Sequence, residues 1–210
     1  RRLLEDGRRV VVFDDLSTGH VEATQLFSHV YGPDRFLFVQ GSLLDIPAVE
    51  ALFSVHDIAG VIDFAARSIV PESQSDPRLY FEQNVLAFRN LMAACPGVPL
   101  VKSSTASTYG DPPSSSIPLS EDYQARAADD SRYAQSQLDG AAAPLQTLLD
   151  WYAHEAGGVG VDDVALRIPT SVYGVTKAMD ELMLRGRLAA GRGPYTALRY
   201  FNAAGADESR

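Results

Sequence analysis

A chain of 210 residues can bury the core of one domain, and 46% hydrophobic against 21% charged residues is the balance of a soluble globular protein. The formal net charge of -9 repels nucleic-acid backbones and anionic lipid, so neither is an expected partner, although a local cation or helix N-terminus can still hold an anionic nucleotide. A single cysteine, Cys95, excludes an internal disulfide, the four histidines lack metal-ligand spacing, and no apolar run reaches the ~20 residues of a membrane helix. The expectations are therefore no metal site, no membrane and a cytoplasmic protein.

Arg1 to Asp6 reads as the end of a helix, with Gly7 as its stop. The β-branched run Val10-Val11-Val12-Phe13 follows as a strand that closes on Asp14 and Asp15. Phe36 to Val39 is a second strand, Pro47 to His56 a helix with proline in its first turn, and Gly60 to Phe64 a buried strand. Pro77 to Cys95 reads as one helix, and Leu100-Val101 leads a strand into Ser103-Ser104-Thr105. Alternating strands and helices predict an α/β fold with a doubly wound, mostly parallel, Rossmann-like sheet in a single domain spanning 1–210. Right-handed crossovers would align the strand C-termini along one ligand-binding edge. The chain opens on the helix–strand half of a βαβ unit, so the expectation is a sheet lacking its first strand and glycine-rich loop.

The second half contains an echo. Tyr133-Ala134-Gln135-Ser136-Gln137 opens a helical pattern followed by a strand ending Ala165-Leu166-Arg167; Tyr173-Gly174-Val175-Thr176-Lys177 opens another, followed by Ala197-Leu198-Arg199. Two copies are too few for a solenoid, and a local duplication over about 129–167 is the simpler reading.

Three groups of residues point to chemistry. An acid ending the first strand, Asp14 with Asp15 beside it, can accept hydrogen bonds from adenosine ribose hydroxyls and disfavours a 2′-phosphate, which points to NAD over NADP. Ser103, Ser104 and Thr105 end a central strand and can hydrogen-bond a reacting sugar hydroxyl. Tyr173 and Lys177, four residues apart on a predicted helix, share a face; an ammonium near the phenol favours phenolate and makes a usable general base.

Taken together, VVVFDDLSTGH, GVIDFAARSIVPES, YFEQNV, SSTASTYGDPP, SVYGVTKAMDELM and ALRYFNAAGA resemble, in order and over almost the whole chain, the NAD-dependent epimerase/dehydratase family of extended short-chain dehydrogenases/reductases. Within it the nucleotide-sugar 4-epimerases are the nearest match. The resemblance implies NAD as cofactor, a UDP-sugar as substrate, and transient oxidation and reduction at the sugar C4. It implies that Asp14 holds the adenosine ribose, that Phe64, Ala65 and Ala66 line the pyrophosphate and nicotinamide side, and that Asn84 and Ser103 support the cofactor. Thr105 would bond the sugar 4-hydroxyl, Tyr173 would be the base, Lys177 would hold the nicotinamide ribose and tune Tyr173, and Phe201 and Asn202 would meet the nucleotide sugar. A homodimer is also implied.

Some positions depart from the pattern. Gly41 is followed by Ser42 rather than an acid, and Ser68 stands where the epimerases carry a lysine. Counted from Thr105, the family's tyrosine falls near Tyr133, but that copy has Gln137 in place of lysine, so Tyr133 remains the alternative to the favoured Tyr173–Lys177 pair. The resemblance also implies that these residues include little of the family's small C-terminal substrate domain. Ala106-Ser107 replaces the Asp-Glu pair that dehydratases of this type use to expel water, which leaves dehydration as a weaker reading. A non-catalytic remnant is the reading from a different class.

Overall fold

The computed structural model describes residues 1–112, 114–121 and 169–203; the Tyr133 copy and the duplication boundary near 129–167 lie outside the described residues. The chain enters through helix α1 (Arg2–Glu5), which Gly7 ends at φ 85°. Strand β1 (Val10–Asp14) pairs in parallel with β2 (Phe36–Gln40), from Val10 opposite Phe36 to Asp14 opposite Gln40. Helix α2 (Val21–Tyr31) connects them and stops at Gly32, φ 72°. The sequence reading has no helix here: α2 has no side-chain N-cap and no fully buried residue, and Phe27 carries its packing by stacking on Tyr31 and tilting over Phe36. Helix α3 (Ile46–Val55) follows, capped by the Asp45 carboxylate accepting from the Ala48 amide at 3.2 Å.

The second group of strands runs β3 (Val61–Asp63), β4 (Leu100–Thr105) and β5 (Tyr195–Tyr200), again all parallel. The α/β class and the parallel strands agree with expectation. The strands nevertheless fall into two sheets, β1-β2 and β3-β4-β5, because β3 hydrogen-bonds to β4 and to neither strand of the first pair. The predicted helix Pro77 to Cys95 is divided: α5 (Pro77–Tyr80) passes through a π-helical segment, Phe81–Leu86, into α6 (Ala87–Ala94), with α4 (Val70–Ser75) ahead of it. Helix α7 (Val172–Ala189) lies between β4 and β5 in the chain.

The core sits between α6, α7 and β4. Val85, Phe88, Leu91, Cys95, Leu100, Met179, Met183 and Leu184 are buried together. Each large apolar side chain withdrawn from water here contributes ~1.5–3 kcal/mol. Cys95 is a buried core residue, as its apolar setting suggests. The buried Arg187 guanidinium donates to the carbonyls of Cys95 and Val98, each at 2.7 Å, tying the end of α7 to the turn after α6. Asn90 Nδ2 donates to the Leu43 carbonyl at 3.0 Å and joins α6 to the loop after β2. Arg187 thus holds the end of α7 against the turn that leads into β4, and the chemistry-bearing residues collect at the opposite, C-terminal end of that strand.

Candidate active site

Strand β4 ends in Thr105 and turns at once into a 3₁₀ segment, Ala106–Tyr109. The Thr105 hydroxyl accepts from the Ser107 amide at 3.2 Å, and Thr108 Oγ1 donates to the Thr105 carbonyl at 2.8 Å. The first turn of α7 is pressed onto this turn. Ser171 caps the helix, its hydroxyl accepting from the Gly174 amide at 3.1 Å. A Cβ at Gly174 would lie 2.6 Å from the Pro169 side chain and 3.1 Å from the Ser107 carbonyl, so only glycine permits this approach. The approach sets the Tyr173 phenol beside the Thr105 hydroxyl. One helical turn on, Lys177 Nζ donates to the Ser103 carbonyl at 2.8 Å. Ser103, Thr105, Tyr173 and Lys177, singled out separately in the sequence, therefore form one cluster.

Asn84 braces that cluster from the π-helical segment. Its Oδ1 accepts from the Arg67 amide at 2.7 Å, and its Nδ2 donates to the Arg67 carbonyl and to Thr176 Oγ1, each at 3.0 Å. It is wholly buried and joins the loop after β3 to α7. That loop carries Phe64, 66% exposed, then exposed Ala65 and half-buried Ala66. Asp14 and Asp15 end β1 in the other sheet. Their carboxylates accept from the amides of Leu16 at 2.7 Å and Ser17 at 2.9 Å, and Leu16 takes a left-handed φ of 60° to make this turn. Phe201 and Asn202 follow β5 and are exposed; the structure gives them no partner in the Tyr173 cluster. Tyr133 and Gln137 lie outside the described residues.

The sequence reading missed the charges underneath. Lys102, Asp63 and Asp180 are buried at 0%, 3% and 0% side-chain exposure. Lys102 Nζ lies 2.6 Å from Asp63 Oδ2, 3.1 Å from Asp180 Oδ2 and 4.1 Å from the centre of the Phe88 ring. A signal was present: a charged residue inside the apolar run Leu100-Val101-Lys102, opposite Asp63 in Val61-Ile62-Asp63-Phe64. A second network holds α7 to the sheet. Glu181 accepts from Ser104 at 2.6 Å and from Arg199 at 2.9 and 2.6 Å, with the guanidinium over the Tyr109 ring. Burial alone would raise the Glu181 pKa, but the Arg199 and Ser104 hydrogen bonds outweigh it and hold it below the usual value.

The ionisation of the cluster differs from the simple expectation. Burial raises the Tyr173 pKa; the Thr105 hydrogen bond and the Lys102 charge act against that without reversing it. Lys177 is instead pushed down to about 8, first by burial and then by Lys102, with Asp180 and Asp63 opposing. Asp180 is raised to about 6 by burial, against the pull of both lysines. The cation acting on the phenol is Lys102, and Lys177 gives up its proton before Tyr173 does.

A parallel α/β fold with a hydroxyl-bearing strand end beside a Tyr-x-x-x-Lys helix defines a Rossmann-like, nucleotide-cofactor class of protein. A family model described as GDP-mannose 4,6 dehydratase matches residues 1–142, and the chain belongs to this NAD-dependent epimerase/dehydratase family. It is 32% identical to a UDP-glucose 4-epimerase of Lacticaseibacillus casei over 98% of its own length and 47% of the relative's. It is likewise 32% identical to one from Corynebacterium glutamicum, over 97% of this chain and 46% of that one. Among solved structures, UDP-glucose 4-epimerase from Brucella ovis in complex with NAD superposes with a TM-score of 0.67 at 28% identity, covering 98% of this chain and 48% of that one. The Stenotrophomonas maltophila enzyme, with bound NAD and formylated UDP-arabinopyranose, gives 0.70 at 27% identity, covering 99% and 49%. The chain spans about half the length of the curated relatives it matches.

Proposed function

We propose that this chain carries the cofactor and base half of a nucleotide-sugar 4-epimerase acting on a UDP-hexose. The observation that carries the reading is the single cluster of Thr105, Tyr173, Lys177 and the Ser103 carbonyl at the end of β4, in a chain whose relatives are epimerases. The residues present fit NAD. Asp14 offers an exposed carboxylate at a strand end, and exposed Ala65 and half-buried Ala66 put only small side chains on the loop after β3. Bound NAD would supply the hydride acceptor and donor for C4 of the sugar.

In this reading Asp14 accepts from the adenosine ribose hydroxyls, and Lys177 donates to the nicotinamide ribose while keeping its bond to the Ser103 carbonyl. Thr105 orients the sugar 4-hydroxyl and Tyr173. Tyr173 would take the proton of the sugar 4-hydroxyl and later return it. Burial holds the Tyr173 pKa above its ordinary value, so the Thr105 hydroxyl and the Lys102 charge, which favour the phenolate, are what the protein supplies towards its activation. The raised phenol also favours a second reading, a cofactor-binding module that performs no turnover.

Calorimetric titration with NAD, with Asp14→Ala as control, and conversion of UDP-galactose to UDP-glucose by Tyr173→Phe and Tyr133→Phe variants test these readings. The epimerase reading expects saturable NAD binding weakened by Asp14→Ala, and turnover abolished by Tyr173→Phe alone. NAD binding without turnover supports the second reading, and no binding at millimolar NAD overturns both. A homodimer and a cytoplasmic location belong to the same proposal, and sedimentation of the purified chain checks the former. No helix among the described residues is long and apolar enough to cross a membrane.

A further inference from the structure

The chain's 18 basic side chains include only two lysines, Lys102 and Lys177; every other one is arginine. Both lysines are buried, at 0% and 2% exposure, and both belong to the cluster at the end of β4. Arginine is the stronger surface and ion-pairing cation, whereas the compact ammonium of lysine fits a closed site and changes its protonation readily there. Lysine thus occurs only where a small, titratable cation can be enclosed.

The two have different anchors. Lys102 projects from the middle of β4 into a cage formed by Asp63 from β3, Asp180 from α7 and the Phe88 ring from α6. Lys177 reaches from α7 to the Ser103 carbonyl, one residue beyond Lys102 on the same strand. Asp180 is one helical turn after Lys177, so it shares the Lys177 face while its Oδ2 meets Lys102. The charged groups acting on Lys177 are then Lys102 from β4, Asp63 from β3 and Asp180 from its own helix.

We propose that Lys102 is a positioning residue for this site: clamped between Asp63 and Asp180, it holds the Asp180 carboxylate in place and sets the charge environment of Lys177. The proposal rests on the reading that Lys177 is the lysine of the site, and it requires no particular substrate. Its consequence is an inverted order of proton affinity. An ordinary tyrosine and an ordinary lysine titrate together near pH 10. Here Lys177 exchanges its proton near pH 8 beside a phenol that burial keeps protonated, so Lys177 rather than Tyr173 changes charge near neutral pH. The Lys102 cation contributes to this order by opposing a second positive charge on Lys177, while Asp63 and Asp180 keep Lys102 itself charged.

The lysine count makes the test direct. The full chain labelled with carbon-13 at the lysine ε position gives two side-chain resonances, and Lys102→Met leaves the Lys177 resonance alone. The parent protein is expected to show one resonance titrating near pH 8 and one whose midpoint lies above that of an ordinary lysine. Lys102→Met should move the Lys177 midpoint up by about one pH unit, and Asp180→Asn should move it down. A merely structural role would not shift it in opposite directions. A Lys177 midpoint at the ordinary ~10.4 in the parent overturns the proposal even where neither variant folds. So does a midpoint that stays fixed, or moves the same way, in both folded variants. The readout uses neither NAD nor a sugar nucleotide, so loss of turnover with these titrations intact would count against the epimerase reading and leave this one standing.

Discussion

Lys102→Met should destabilise the protein strongly, and the loss should depend on pH. Methionine is close to lysine in length and puts an apolar end near the Phe88 ring, so the change removes the ammonium, with its ion pairs and its place over that ring, and little else. That ammonium lies 2.6 Å from Asp63 and 3.1 Å from Asp180, with all three side chains at 3% exposure or less. Removing one member of a buried ion pair costs ~3–5 kcal/mol, because the partners stay buried without compensation. The pH dependence follows from Asp180. Its folded pKa of about 6 lies above the ordinary 3.8, so its contribution is most favourable below pH ~4 and is lost as pH rises through 6. The difference of roughly two units corresponds to on the order of 3 kcal/mol. Without Lys102 the carboxylate holds its proton to still higher pH, so the variant's deficit should be largest near pH 8 and shrink below pH 6. Urea unfolding followed by circular dichroism at pH 5.5 and 8 measures both. The neutral combination Asp63→Asn, Lys102→Met, Asp180→Asn should recover most of the loss. A deficit under ~1 kcal/mol, equal at the two pH values, would refute the picture of a buried, ion-paired cage.

Two glycines on α7 should respond in opposite directions to the same change. Gly174→Ala puts a methyl group 2.6 Å from the Pro169 side chain and should cost ~1–3 kcal/mol, with α7 pushed off the β4 turn. Gly186→Ala meets no atom within 4 Å and should stabilise the helix by ~1 kcal/mol, read as a rise in Tm. Asn84→Ala removes both hydrogen bonds to the Arg67 backbone and the one to Thr176. It should cost ~1–3 kcal/mol and sharply accelerate hydrogen exchange at the Arg67 amide; unchanged exchange there would contradict the bracing role of Asn84.

Strands were legible in the sequence because short β-branched runs bounded by glycine, proline and acids have few alternatives. Val10–Asp14, Phe36–Gln40 and Leu100–Thr105 lie where those runs predict. Helix α2 was not legible, because its apolar residues cover only a half-buried face and its start lacks a capping side chain. The division of the helix from Pro77 was also hidden: a π-helical segment adds a residue to one turn without altering the composition that marks a helix. In the site, the Tyr173–Lys177 spacing was readable because helical periodicity is local. The Asp63–Lys102–Asp180 cage was not read, since its members come from three elements and meet only once β3 pairs with β4 and α7 covers them. Local pattern also could not order the pKa values, because they depend on burial and on Lys102, 71 positions before Tyr173.

The same geometry bears on which tyrosine copy belongs in the slot beside β4. The helix there must satisfy four conditions: a residue without Cβ directly after the tyrosine, a lysine four after it, a carboxylate seven after it for Lys102, and another eight after it for Ser104 and Arg199. Gly174, Lys177, Asp180 and Glu181 meet them. The corresponding residues after Tyr133 are Ala134, Gln137, Gly140 and Ala141. Ala134 would bring a Cβ into a tight contact of about 3.1 Å with the Ser107 carbonyl, Gln137 carries no charge, and Gly140 and Ala141 would leave Lys102 and Arg199 each short of a carboxylate. One mismatch could be absorbed by a small shift of the helix, but four across two turns involve steric, catalytic and ion-pairing requirements at once. Within the proposed reading, these contacts favour the Tyr173 copy over the Tyr133 copy for this slot. Loss of UDP-galactose turnover by Tyr133→Phe, with Tyr173→Phe still active, would show that the slot tolerates what these contacts disfavour.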